Sequence, residues 1–418
     1  MQSEKLTEGK MFKRFLMFIL SFTFLFTATA CNGRNEDNSS FDTGHSESSD
    51  TGDSTSDDTS EEVLPVKEIV YTDMLSSKNI NFFGRNYVND SLGMVEFDYS
   101  AAGFEVEFTG TKLTATLYGK DKAGYGNTYL SVFTDGEEKV LELESNKQKD
   151  YVLCDGLTEG THRVKVLKRT ELAFTQAGIA RIWSDGDILK APARRKLKFE
   201  FYGDSITCGY GSVSEIGDKG FKTVTESALS TYAFFTAEHF NAECNFVSYS
   251  GWYVTKSVDG TEAGDISKVY DKYSDANKDE WNFSSYVADV VVVNIGANDE
   301  NYVNLNFSDK NTKGERIEYF DLKYTALITN LRQKYPNAYI FCVTGMLGEN
   351  TLPNTILSVA ELKQLDGDNK IFATTLYARD NPSELGTDGH PSESAHRKAA
   401  NDLIEMITDC VPAEVLNK

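Results

Sequence analysis

The sequence predicts two folded regions in series: an all-β jelly roll or sandwich, then an α/β domain built on a parallel sheet. Three observations carry this reading. Residues 70–183 hold short apolar runs that alternate with period two and are separated by Gly-containing turns. From Lys196 onward, apolar runs alternate instead with amphipathic stretches, the pattern of a parallel sheet covered by helices on both faces. Ahead of both lie a leader and a polar tract almost without apolar residues.

In the first region the expected strands are 95–99, 104–108, 113–118, 129–133, 140–143 and 163–167. Asp135-Gly136, Asp155-Gly156 and Glu159-Gly160 supply the turns between them. Regular short strands of this kind close into a sandwich or jelly roll. Phe104 and Tyr129 are expected in its core, which makes the region a packing partner rather than a sugar-binding face.

In the second region the expected strands are 197–202, 244–249, 290–295, 338–343 and 371–376, with helical stretches at 232–240, 319–334 and 395–407. A chain of 418 residues holds two such cores comfortably once the leader and tract are set aside, and no internal repeat is visible. The expected divisions are 1–31, 32–65, 66–192 and 193–418.

Reactive groups gather where the apolar strands of the second region end. Tyr202-Gly203-Asp204-Ser205 breaks a strand into a Gly-rich turn, and in open α/β sheets the reactive crevice lies beyond the carboxyl ends of the strands. Ser205 is there either a nucleophile or the N-cap of an ordinary strand-to-helix turn. Asn298 follows the run 290–295 at the same expected edge, where its amide either donates to a developing oxyanion or caps its own turn. A serine nucleophile needs a base, and that base needs a partner on its other ring nitrogen. Of the five histidines, His45 lies in the polar tract, His162 in the all-β region and His239 in a helical pattern. His396 falls inside the last helix, where a surface or capping role suits it better. His390, beside Asp388 in a loop before that helix, is the expected base.

Gly203-Asp204-Ser205, Ser250-Gly251, Gly296-Ala297-Asn298-Asp299 and Asp388-Gly389-His390-Pro391 together resemble the four signature blocks of the SGNH (GDSL-like) hydrolases, from about Lys196 to the C-terminus. That resemblance implies a flavodoxin-like parallel sheet and Ser205 as nucleophile. It implies an oxyanion hole of the Ser205 and Gly251 N–H groups with the Asn298 side chain, His390 as base, and no cofactor. The superfamily's usual spacing would put the acid at Thr387, whereas the nearest carboxylate is Asp388. The shorter Asp-x-His-Pro arrangement is similar to carbohydrate esterase family 2, in which either that Asp or a main-chain carbonyl orients the histidine; of the two, the Asp388 carboxylate is the expected catalytic partner of His390. Residues 103–111 and 160–166 resemble the same family's N-terminal domain. Gly389 stands where some relatives carry an aromatic residue. The resemblance implies an acetylesterase of plant polysaccharide, acetylxylan or another hemicellulose. A lipase or thioesterase on the same fold and a non-catalytic sugar-binding surface protein are the alternatives.

The first residues say where such chemistry takes place. Lys13-Arg14, the apolar run 15–26 and Thr27-Ala28-Thr29-Ala30 before Cys31 read as an export signal of the lipoprotein type, with Met11 as its better start. The expected mature chain begins at a lipidated Cys31 on the cell surface, its only link to a membrane. The tract after Cys31 cannot bury enough surface to offset its ordering entropy, so it is expected to be a solvated tether. A net charge of −22 excludes nucleic acid as a partner, since phosphate binding needs clustered Lys and Arg. Besides Cys31 there are five cysteines without metal-ligand spacing, which predicts no disulfide framework and no zinc site. Cys208 is expected to be a small buried residue.

Overall fold

Apolar alternation builds the first half as an antiparallel, all-β region. The computed structural model describes residues 62–418 except 275, 306–309 and 379–380, so the leader, Cys31 and the polar tract lie outside the described residues. The strands are β1 Val66–Val70, β2 Asn81–Phe83, β3 Asn86–Asn89, β4 Met94–Phe97, β5 Gly103–Thr109 and β6 Leu113–Asp121. They continue with β7 Thr128–Thr134, β8 Glu137–Leu143, β9 Lys147–Cys154, β10 Thr161–Lys168 and β11 Thr175–Ile188. Every pairing among them is antiparallel, and the longest strand, β11, pairs with β6, β4, β1 and the end of β5.

The pleat sorts the side chains. Along β5, Phe104, Val106 and Phe108 are fully buried, and along β10 so are Val164 and Val166. On β7 the buried pair is Leu130 and Val132, whereas Tyr129 points the other way and is half-buried. The expectation of Tyr129 as core was therefore wrong by one step of the two-residue period. Strands β1, β2, β3, β9 and β11 are not among the runs singled out from the sequence, and for β9 and β11 the reasons are physical. Lys147-Gln148-Lys149-Asp150 opens β9 with polar residues, and β11 carries Gly178 and a register shift between Ile179 and Arg181.

The second half is a five-stranded parallel sheet: β12 Lys198–Gly203, β13 Glu243–Ser248, β14 Val290–Asn294, β15 Tyr339–Thr344 and β16 Ile371–Thr375. Its order is β13-β12-β14-β15-β16, the 2-1-3-4-5 order of flavodoxin-like sheets. Both faces are buried, and alternate residues serve different cores. Val291, Val293, Ile340 and Cys342 face α3 Lys313–Lys334 and α4 Pro353–Leu365. Phe199, Phe201, Val290 and Val292 face α1 Tyr232–His239 and α5 Glu393–Cys410. A reciprocal capping box between Thr312 and Glu315 starts α3.

Polar groups also tie the two halves together. Arg85, on the all-β side, is buried; it donates to the Tyr270 carbonyl at 2.8 Å and pairs with Glu200 of β12 at 3.3 Å. The Asn245 side chain accepts from Gly84 N–H at 3.1 Å. Near the start of β13, a cavity of about 380 Å³ is lined by Phe83, Arg163, Arg194 and Glu243 among others. Its arginines are already committed, Arg194 to Glu243 and Arg163 to Glu105.

Candidate active site

Strands β12, β13 and β14 deliver the reactive segments to one edge. β12 pairs with β13 on one side and β14 on the other, so the strand order reverses at β12 and a crevice opens at the carboxyl ends of these strands. Ser205 begins a single helical turn, Ser205–Cys208, immediately after β12. Asp204 is the N-cap, its side chain accepting from Ile206 N–H at 3.0 Å. The capping role considered for Ser205 thus belongs to Asp204, and the serine hydroxyl is left for other work. Gly203 has to be glycine, because a Cβ there would stand 2.0 Å from Thr207 Oγ1. Burial pushes the Asp204 carboxyl up to about 8.

The His390 ring comes to Ser205 from the far end of the chain. Ser205 Oγ and His390 Nε2 are 2.8 Å apart. His390 follows the short turn Thr387–Gly389, and its own N–H donates to the Thr387 carbonyl at 3.0 Å. Tyr210 packs on the imidazole with ring centroids 4.3 Å apart and planes 32° from parallel. His396 is elsewhere, fully buried in α5, where its Nδ1 accepts from Tyr232 N–H at 3.2 Å. It accepts one N–H at the start of α1, whose N-cap is Thr231, and being buried it is not a surface residue.

Asp388 sits beside His390 in a left-handed conformation, φ +51°, which short polar side chains tolerate better than others. One carboxylate oxygen accepts from Gly220 N–H at 3.0 Å and the other from the Tyr210 hydroxyl at 3.1 Å. These bonds, with the charge of His390 behind them, hold the carboxyl below its ordinary range. The geometry therefore has Asp388 anchor the loop and the Tyr210 ring that lies on His390.

The second block forms a tight turn. Trp252 N–H returns to the Tyr249 carbonyl at 3.2 Å, and Gly251 takes φ +85°, as the third position of a type II turn requires. Gly251 is exposed, and no atom lies within 4 Å of where its Cβ would be. Asn298, in the first turn of α2 Ala297–Leu305, donates to the Trp252 carbonyl at 2.9 Å and approaches Asp204 Oδ2 at 3.5 Å. Its neighbour Asp299 accepts from the N–H groups of Val254 and Thr255, at 3.1 and 2.9 Å, and fixes the chain beyond the turn. Burial raises that carboxyl to about 6.

Sequence reasoning missed an aromatic wall and a carboxylate. Tyr210 stacks on Phe221 at 4.1 Å, Phe221 meets Phe174 at 4.5 Å, and the half-exposed Tyr125 meets Phe174 at 5.0 Å. Tyr210 had a local signal, an aromatic between two glycines five residues after Ser205. Phe174 and Tyr125 come from the all-β half, and Glu171 from the same half bonds Ser250. Nothing near them in sequence announces it.

Comparison with known proteins places this arrangement. Residues 82–192 match the family described as Carbohydrate esterase 2 N-terminal, and residues 201–398 match the GDSL-like Lipase/Acylhydrolase family. The chain carries a Carbohydrate esterase 2 N-terminal domain followed by a GDSL-like Lipase/Acylhydrolase domain. It is 30% identical over 325 residues to the cellulase/esterase CelE of Acetivibrio thermocellus, covering 77% of this chain and 37% of that protein. It is 28% identical over 212 residues to an acetylxylan esterase/glucomannan deacetylase of Cellvibrio japonicus, covering 49% of this chain and 56% of the relative. The chain thus spans between about a third and somewhat over half of these two curated relatives. A family two carbohydrate esterase from Clostridium thermocellum, solved in complex with cellohexaose, superposes with a TM-score of 0.70 at 28% identity, covering 79% of this chain and 98% of that one.

Proposed function

We propose that this chain is an exported, lipid-anchored serine esterase that removes acetyl groups from plant cell-wall polysaccharide, acetylxylan or another acetylated hemicellulose. The observation that carries ester hydrolysis is the 2.8 Å contact between Ser205 Oγ and His390 Nε2 at the carboxyl edge of the sheet, beside the Gly251 turn and the Asn298 amide. The carbohydrate class is supported by the relatives, whose names include acetylxylan esterase and glucomannan deacetylase. The export signal and Cys31 support a surface location.

In this reading Ser205 Oγ attacks the acetyl carbonyl carbon while His390 Nε2 takes its proton. Negative charge gathers on the former carbonyl oxygen and is met by the Ser205 and Gly251 N–H groups and the Asn298 amide. Collapse expels the sugar alkoxide, which His390 protonates, and leaves an acetyl-enzyme. Water, deprotonated by His390, then releases acetate and restores Ser205.

The test is acetate release by the full chain from acetylated xylan, acetylated glucomannan and nitrophenyl esters of increasing acyl length. Release from the acetylated polysaccharides, with loss of activity beyond short acyl chains and in both Ser205→Ala and His390→Ala, is the expected result. Preference for long acyl chains would make the protein a lipase or thioesterase, and sugar binding without ester turnover would make it a binding protein. Cys31→Ser is expected to release the protein from membranes, and its retention there would overturn the lipid anchor.

A further inference from the structure

We propose that Glu171, supplied by the all-β half, is a positioning residue for the oxyanion hole, clamping Ser250 so that the Gly251 N–H is held toward the carbonyl that Ser205 attacks. This rests on the esterase reading.

The clamp has two contacts. Glu171 lies in the connection between β10 and β11 and is completely buried. Its carboxylate accepts from Ser250 N–H at 2.7 Å and, closer still, from the Ser250 hydroxyl. Ser250 is the second residue of the type II turn and Gly251 the third. The Gly251 N–H belongs to the peptide plane that joins them, and that plane turns about Ser250 ψ and Gly251 φ. Fixing Ser250 at both its N–H and its side chain removes freedom on one side of the plane. On the other side, the Asn298 amide holds the Trp252 carbonyl at 2.9 Å. A pre-aimed donor costs no reorganisation when charge develops, and this is where oxyanion stabilisation gets its size.

The surroundings keep Glu171 an acceptor. Glu226, also completely buried, accepts from Glu171 N–H at 3.0 Å, and the two side chains meet directly. Two carboxyls this close do not both ionise in a buried site. Burial raises both, and the neighbouring Glu171 charge raises Glu226 further, while the Ser250 N–H and hydroxyl, both donating to Glu171, favour its ionised form. The buried ammonium of Lys168, held by the Asp98 and Thr170 carbonyls at 2.8 Å each, adds positive charge nearby. The all-β half thereby contributes to the reaction as well as to packing.

The experiment compares the full chain with Glu171→Gln and Ser250→Ala on nitrophenyl acetate, together with the rate at which a phosphonate inactivates Ser205. An amide at position 171 puts an N–H against a Ser250 donor, so kcat is expected to fall by up to about 10²-fold with KM changed by less than about twofold. Ser250→Ala removes one of the two contacts from a half-buried site, and the expected loss in kcat is about tenfold. Phosphonylation places an anionic oxygen in the same hole and is expected to slow in parallel, per active site titrated. If Glu171→Gln does not fold, Ser250→Ala decides. An active wild type with both variants at wild-type kcat, or with changes confined to KM, overturns the positioning role alone. A wild type without ester turnover overturns the esterase reading itself.

Discussion

Tyr210 joins Asp388 to His390: its hydroxyl donates to the Asp388 carboxylate at 3.1 Å, and its ring lies 4.3 Å from the imidazole. A triad aspartate acts by holding the base and stabilising its cation, and its loss lowers kcat by roughly 10⁴. Asp388 instead has both oxygens engaged by Gly220 N–H and Tyr210. Asp388→Asn is therefore expected to lower kcat by about tenfold, far short of that 10⁴. Steady-state kinetics on an acetyl ester decides, and a loss near 10⁴ would restore Asp388 as a direct partner of His390. Tyr210→Ala, which removes the ring, is expected to cost more than Tyr210→Phe, which removes only the hydroxyl.

Asn298 donates to the Trp252 carbonyl at 2.9 Å and to Asp204 Oδ2 at 3.5 Å, so meeting the oxyanion takes the longer of its two bonds. Asn298→Ala is expected to reduce kcat by roughly 10²–10³ with a smaller change in KM, because the donor serves charge that exists mainly in the transition state. A change in KM alone would make Asn298 a ground-state sugar contact.

Much of this fold was legible because its signals are local. The run Val290 to Val293 reads as a buried strand on sight, and the structure builds β14 on it. The residues the structure sets together at the sheet edge, Ser205, Gly251, Asn298 and His390, each stood in a short motif beside a strand end or helix start. What could not be read depends on partners far away in sequence. Glu171 and Ser250 are 79 residues apart, and Arg85 and Glu200 are 115 apart. Glu171, Arg85 and Glu200 each look like an ordinary surface charge until the fold encloses them. The Asp204 cap was hidden for a different reason, since Asp204 and Ser205 are both good N-cap residues and only backbone geometry chooses between them.

Arg85 and Glu200 form an ion pair with both side chains completely buried, and it crosses from one half of the molecule to the other. Breaking such a pair by removing one partner costs about 3–5 kcal/mol, because the remaining charge is stranded. Arg85→Met is expected to lower unfolding free energy by about that amount. Adding Glu200→Gln is expected to recover part of it. Urea denaturation of the two variants provides the check, and a single-variant loss below about 1 kcal/mol would mean that the pair is solvated on unfolding no differently from a surface pair.

The buried imidazole of His396 gives a pH dependence with a definite sign. Burial, reinforced by the charge of His390, pushes it down to about 3 from an ordinary value of 6.5. Between those values an unfolded chain takes up the proton and the folded protein refuses it, so stability declines as pH falls through this window and is unaffected above it. Each pH unit is worth about 1.4 kcal/mol at most, so going from pH 6.5 to 4.5 costs up to about 3 kcal/mol from this residue. Asp204, raised to about 8, and Asp299, raised to about 6, carry the opposite sign, since a neutral buried carboxyl loses stability as pH rises. Comparison with His396→Gln isolates the histidine, because the amide oxygen still accepts from Tyr232 N–H while nothing at that position titrates. The variant is expected to be less stable than wild type at pH 7 but to lose less stability on acidification, so the two denaturation midpoints converge toward pH 4.5. Parallel curves across the range would show that His396 takes up its proton in the folded protein as readily as in the unfolded chain.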